Sequence, residues 1–227
     1  MATILSIETS TSVCSASIAL DKEVLMEKIS YEGNHATHLP VFIKELLDFS
    51  NEKNLKIDAV AVSEGPGSYT GLRIGVSSAK GLCYALDISL IAVDTLAAIA
   101  LEATKHYLEE DACICPMIDA RRMEVYTSVF SRNLLPINSK SAKIIDENSF
   151  SDMLETSKIV FCGNGSDKCK NVLRGDNAIF LPDIVPLSRN IGEIAFDKFN
   201  RKEFENIAYF EPSYLKEFQA TTPKNKI

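Results

Sequence analysis

"SEGPGSYTGLRIG" runs from Ser63 to Gly75 and crowds glycines and a proline between an apolar run and a second apolar segment. The run before it, Ile57–Val62 (IDAVAV), reads as a short buried strand, and the segment after it, Gly71–Leu86, as a helix. A glycine-rich strand-to-helix loop invites a phosphate reading. Yet the loop lacks the Lys-Ser/Thr ending of a P-loop and the GxGxxG of a dinucleotide site. What remains is the positive end of the helix, which could attract an anion. The helix itself carries a second message. Gly71, Gly75, Ala79 and Cys83 form one row of small residues, and Ile74, Ser78, Gly81 and Ala85 form another. Its only charges, Arg73 and Lys80, share one edge. A surface helix normally shows a broad polar face, so this one is expected to be covered on two sides. The chain's own sheet covers one side. The other is covered by a partner or by the rest of this chain, and the sequence leaves open which row faces which way.

Working outward, Thr3–Ile7, Val13–Leu20 and Glu23–Ser30 read as strands, the last two joined by a tight turn at Asp21-Lys22. A helix follows at about Thr37–Ser50, with Thr37 as N-cap and Pro40 in its first turn. Leu39, Phe42, Ile43, Leu46, Leu47 and Phe49 give it a wide apolar arc, with Val41 outside that arc. Ser89–Val93 is a strand, and Asp94 or Thr95 caps a helix through Ala103. The order β-β-β-α-β-α-β-α predicts a mixed sheet with helices packed on it. A polar stretch at 105–111 then marks a boundary, and a similar order begins again. Strands are expected at Ala112–Asp119, Glu124–Phe130, Lys140–Ile145 and Lys158–Cys162, with helices at Ser149–Leu154 and Ser188–Phe199. The second half reads as a reduced copy of the first. Two units follow, 1–104 and 105–227, the latter ending in a polar, frayed tail (TTPKNKI).

The 227 residues are 46% hydrophobic, enough for one large core or two small ones. The net charge of −7 disfavours strong nucleic-acid binding by this chain alone. No apolar run is long enough for a membrane helix, and the opening MATILSIETS does not read as a signal peptide. The six cysteines lack metal or disulfide spacing, which points to reduced thiols and a cytoplasmic setting.

Three motifs bear on chemistry. Ile7–Ser12 (IETSTS) places Glu8, Thr9 and Ser10 at a turn between strands, where an acid and hydroxyls can hold metal-bound phosphate. More commonly such a turn satisfies its own backbone. A matching turn in the second half should be glycine-rich, but it reads Ala120-Arg121-Arg122-Met123. Arg121 and Arg122 could hold an anion, while the ATP-cleaving form of the turn is missing. His35 and His38 lie close in sequence without a third ligand, so a capping or surface role is favoured over a metal site.

ILSIETST, NHATHLP, AVSEGPGSYTGLRIGVSSAKGL, VDTLAAIA, DARRMEVYTSVF and PSYLKEF occur in the order expected of one family. From Ile4 to about Phe218 the chain resembles the TsaB (YeaZ) family of bacterial tRNA threonylcarbamoyladenosine biosynthesis. The resemblance implies an α/β, actin-like (ASKHA, RNase H-like) fold of two lobes, each with a mixed five-stranded sheet flanked by helices, the second lobe reduced. It implies a non-catalytic subunit without cofactor or metal that supports a TsaD-like transferase. A TsaE-like ATPase joins the same assembly, a TsaC-like synthase supplies the adenylate, and tRNA is met only through the complex. It also implies a helix bundle that serves both TsaD and a homodimer. The matching positions are His38, Leu39, Phe42, Ile43, Leu46, Arg73, Ile74, Ser77, Ser78, Gly81 and Ala85. On this reading the glycine loop is a hinge that sets the interface helix. The competing readings are an active actin-like phosphotransferase or metallopeptidase, and a residual nucleotide-binding module.

Overall fold

The computed structural model describes residues 1–109 and 111–216; the polar tail expected to fray lies outside them. The first half contains β1 (Thr3–Glu8), β2 (Cys14–Leu20), β3 (Glu23–Ser30), α1 (His35–Glu52), β4 (Ala59–Gly65), α2 (Tyr69–Leu86), β5 (Ser89–Asp94) and α3 (Thr95–His106). The second contains β6 (Cys113–Asp119), β7 (Glu124–Thr127), β8 (Ser141–Ile144), α4 (Ser151–Leu154), β9 (Ile159–Cys162), a 3₁₀ turn at Asp167–Cys169, β10 (Ala178–Leu181) and α5 (Ser188–Asn200).

The two sheets have one topology. The first runs β3-β2-β1-β4-β5, antiparallel through β3, β2 and β1 and parallel from β1 to β4 and β5. The second runs β8-β7-β6-β9-β10 with the same alternation. This is the actin-like, two-sheet architecture implied by the resemblance. The reduction of the second half lies in its helices: four residues of α4 stand where the first half has the 18 of α1, and a 3₁₀ turn stands where it has α2.

Each half lends its last helix to the other sheet. α3 buries Leu96, Ile99, Ala100 and Ala103 against Ile114, Ile118 and Val160 of the second sheet. α5 buries Ile191 and Ala195 against Ile4, Ala59, Ala61, Ile91 and Val93 of the first. A polar seam fastens the exchange. Arg189 bridges Glu27 on β3 (3.1 Å) and Glu102 on α3 (2.8 Å), and the Asn190 side chain donates to the other oxygen of Glu102 (2.8 Å). Hydrogen bonds and the guanidinium charge hold the Glu102 carboxyl below its usual range despite its burial.

Two expectations are corrected. Helix α1 begins at His35 with Asn34 as N-cap, so Thr37 lies inside the first turn, its hydroxyl donating to the Asn34 side chain at 3.0 Å. Pro40 therefore sits a turn deeper than expected, where its missing N–H leaves the Ala36 carbonyl without the usual partner. His35 is buried, not a surface residue, and its Nε2 donates to the Thr11 carbonyl at 2.7 Å.

Glu102→Ala should lower stability by roughly 2 kcal/mol, because it leaves the Asn190 side chain without its acceptor and Arg189 with Glu27 alone. Denaturant unfolding checks this, and Arg189→Met should lose at least as much, because it leaves the buried Glu102 carboxylate and that of Glu27 without their cation.

Candidate functional site

β1 and β4 are parallel neighbours, so their C-terminal ends bring the Thr9–Ser10 turn and the glycine loop together. The contact is backbone to backbone. A Cβ on Gly67 would lie 2.3 Å from the Ser10 carbonyl oxygen, and one on Gly71 would lie 2.1 Å from that of Thr9. One on Gly75 would meet the Thr9 hydroxyl at 2.3 Å. Ser68 N–H donates to the Ser10 carbonyl (2.6 Å), and the Thr9 hydroxyl donates to the Gly71 carbonyl (2.8 Å). Ser68 then caps α2 by accepting from Gly71 N–H. The loop thus clasps the turn and seats the helix.

The second half repeats this clasp. A Cβ on Gly163 would lie 2.5 Å from the Met117 carbonyl oxygen, and one on Gly165 would lie 2.9 Å from the Asp119 nitrogen. The glycine sought within the β6–β7 turn is in the loop that packs on it. Gly163-Asn164-Gly165-Ser166 after β9 echoes Gly65-Pro66-Gly67-Ser68 after β4, a signal present in the sequence and not used.

Between the two clasped turns lies a cleft of about 1110 Å³, also bounded by the N-terminal ends of α1 and α2 and by residues 213–216. Ser10, Arg121 and Arg122 line it, the arginines exposed and both in the left-handed region (φ 73° and 47°). Glu8 and Thr9 do not reach it, which corrects the grouping of all five as one anion site. Both are fully buried, Thr9 beneath α2. One Glu8 oxygen accepts from Ser10 N–H at 2.5 Å, while the other is buried without a partner. Burial pushes this carboxyl up to about 7, with the Ser10 N–H bond opposing the rise.

The first expected row of α2 faces inward, while the second, Ile74, Ser78, Gly81 and Ala85, splits between half-buried and exposed positions. Gly71, Gly75, Ala79 and Cys83 face inward and are buried with Leu72 and Val76. Arg73, Ser77, Gly81 and Ala85 face outward and are exposed, with Ile74 and Ser78 half-buried beside them. A Cβ on Gly81 would meet nothing within 4 Å. Arg73 donates to the Tyr69 hydroxyl at 2.8 Å. On α1, His38, Phe42 and Ile43 are half-buried. Leu39 and Leu46 are corrected as contact residues: both are 0% exposed in the first core and present no surface to another chain. Among the described residues no group of His, Cys, Asp or Glu could hold a metal ion.

The family model described as TsaD, tRNA N6-adenosine threonylcarbamoyltransferase, matches residues 30–224. The tRNA threonylcarbamoyladenosine biosynthesis protein TsaB of Bacillus subtilis (strain 168) is 36% identical over 129 residues, 56% of this chain and 55% of that protein. The protein of the same name from Buchnera aphidicola subsp. Acyrthosiphon pisum is 29% identical over 193 residues, 81% of this chain and 86% of that protein. The solved structure "YeaZ from Pseudomonas aeruginosa" superposes with a TM-score of 0.82 at 24% identity, covering 95% of this chain and 100% of that one, a likeness of fold. The chain belongs to the TsaD family of that model, within its TsaB/YeaZ group, a group of tRNA threonylcarbamoyladenosine biosynthesis.

Gly75→Ala should destabilise by about 1–3 kcal/mol, since Thr9 is locked and has no room to yield. Gly81→Ala should be neutral or stabilise by up to about 1 kcal/mol, because open space lies beyond it and alanine favours the helix. Urea titration of both variants separates the rows. Glu8 gives a pH signature. Its folded pKa of about 7 lies above its ordinary 4.5, so its contribution is full below pH 4.5 and is lost as pH rises through about 7. Glu8→Gln should therefore match the parent near pH 4.5 and exceed it at pH 8.5 by on the order of 3 kcal/mol or less, read from melting curves at both pH values.

Proposed function

We propose that this member of the family is a non-catalytic partner subunit that docks a TsaD-like threonylcarbamoyltransferase and supports its modification of the adenosine beside the anticodon. The observation that carries the reading is the outward row of α2. Arg73, Ser77, Gly81 and Ala85 present small or polar surface on a rigid helix whose opposite row is seated on the sheet. Small residues let a second helix approach closely, and Ile74, Ser78, Phe42, Ile43 and His38 border the contact. The unit that carries it is residues 1–104, with 105–227 as the second unit. The match to the TsaD model supports the pairing, because two related chains can pack equivalent helices about a pseudo-twofold axis. The same geometry supports a homodimer when the partner is absent.

The absence of catalysis in this proposal rests on the two clasped turns. The first buries Glu8 and Thr9, and the second carries arginine side chains where a phosphate would need bare backbone. tRNA is proposed to be met through the assembled complex, since a net charge of −7 repels a phosphate backbone. A TsaE-like ATPase in the assembly, a TsaC-like source of adenylate and a cytoplasmic setting complete the proposal. No helix among the described residues is long and apolar enough to cross a membrane.

The test pairs one variant from each row. Gly81→Arg should fold with an unchanged melting temperature, fail to co-purify with a TsaD-like subunit and fail to support tRNA modification in a reconstituted assay. Ala79→Arg should fail earlier, by unfolding. A folded Gly81→Arg protein that still binds and supports the transferase would sink the docking assignment.

A further inference from the structure

After α5 the chain does not end on the second half but returns along the first. Glu205 N–H donates to the Leu90 carbonyl at the edge of β5 (2.9 Å), and Ile207 and Phe210 pack against the first core. Lys80 of α2 donates to the Phe210 carbonyl at 3.1 Å. Ser213 N–H then donates to the Glu64 carbonyl (2.7 Å), and the Ser213 carbonyl oxygen lies 2.7 Å from where a Gly65 Cβ would stand. From there the chain crosses to the second half. The Tyr214 ring packs on Tyr69 at the start of α2, with centroids 4.8 Å apart. Two residues on, Lys216 pairs with Glu124 of β7 and stands over the Tyr126 ring at 5.9 Å. Ser213 to Lys216 all line the cleft.

We propose that residues 211–216 are a strap that holds the cleft between the two halves closed, anchored on α2 by Tyr214 and on β7 by Lys216. The two anchors differ in kind. The hydrogen bond from Ser213 N–H to the Glu64 carbonyl and the close fit against Gly65 fix the strap to the first half. The far anchor is a solvent-accessible ion pair, and pairs of that kind are weak and screened by salt. Release is therefore at Lys216, and the strap stays with α2 when the cleft opens. Lys140 bridges Glu64 (2.8 Å) and Asp94 (2.9 Å) and remains a tie between the halves when the strap lets go. Because Tyr69 carries both the Tyr214 ring and the Arg73 guanidinium, the outward row of α2 and the closing strap meet at one side chain.

Amide hydrogen exchange on the full chain tests the strap. Tyr214→Ala should speed exchange at residues 66–71 and 119–123 by about tenfold and Lys216→Gln by about two- to fivefold, while β1 and α5 keep their protection. Lys216→Arg should keep the parent's slow exchange. A rise in salt from 0.1 to 1 M should speed exchange at 119–123 in the parent and leave the Lys216→Gln variant unchanged. Unchanged exchange at both segments in Tyr214→Ala and Lys216→Gln would overturn the proposal. So would a uniform rise over the whole chain, which would make the segment a general brace.

Discussion

The close approach of backbone to backbone at Gly67 and Gly71, and of backbone to the Thr9 side chain at Gly75, is the constraint on which the first half depends. Side chains at these positions would occupy the same space as the Thr9–Ser10 turn, so only glycine lets α2 lie so close. Glycine inside a helix is unfavourable by about 1 kcal/mol relative to alanine, and α2 accepts this at two inward positions. In return, its axis is fixed by backbone contact and capping at Ser68, so the row on its far side stands at a defined place. A surface meant to meet another protein gains from such rigidity, because less freedom is lost on binding.

The same constraint appears in the second half at Gly163 and Gly165, with little left to position. A 3₁₀ turn follows that loop where the first half has 18 helical residues. The clasp is present here without a long helix to seat, so it goes with the sheet topology: parallel neighbours such as β6 and β9 end side by side, and their loops then compete for one space.

The strands of the first half were legible because IDAVAV and TILSI are short, nearly continuous apolar runs bounded by turn residues. β10 was not, since four half-buried residues at a sheet edge carry no strong pattern. The start of α1 was misplaced because Pro40 suggests a first turn, whereas the helix tolerates it further in. The facing of α2 was illegible in principle, as both rows are small and only the fold shows which meets Thr9. Leu39 and Leu46 were grouped with the proposed docking face because an apolar arc does not reveal where core ends and surface begins. Glu8 and Thr9 read as a site from their types, but both are buried, Thr9 under glycines that lie more than fifty residues on.

The exchanged helices set a timetable for synthesis. The face of the first sheet formed by Ile4, Ala59, Ala61, Ile91 and Val93 waits for α5, which begins at Ser188, long after β5 ends at Asp94. At about 5–20 residues per second, that face waits on the ribosome for roughly 5–20 s with only Ala98 of α3 against it. α3 meanwhile carries Leu96 and Ile99 with no second sheet to receive them. Neither half can finish before the other, so a chain stalled anywhere before Asn200 exposes its first sheet to whatever chaperone or neighbouring chain reaches it first.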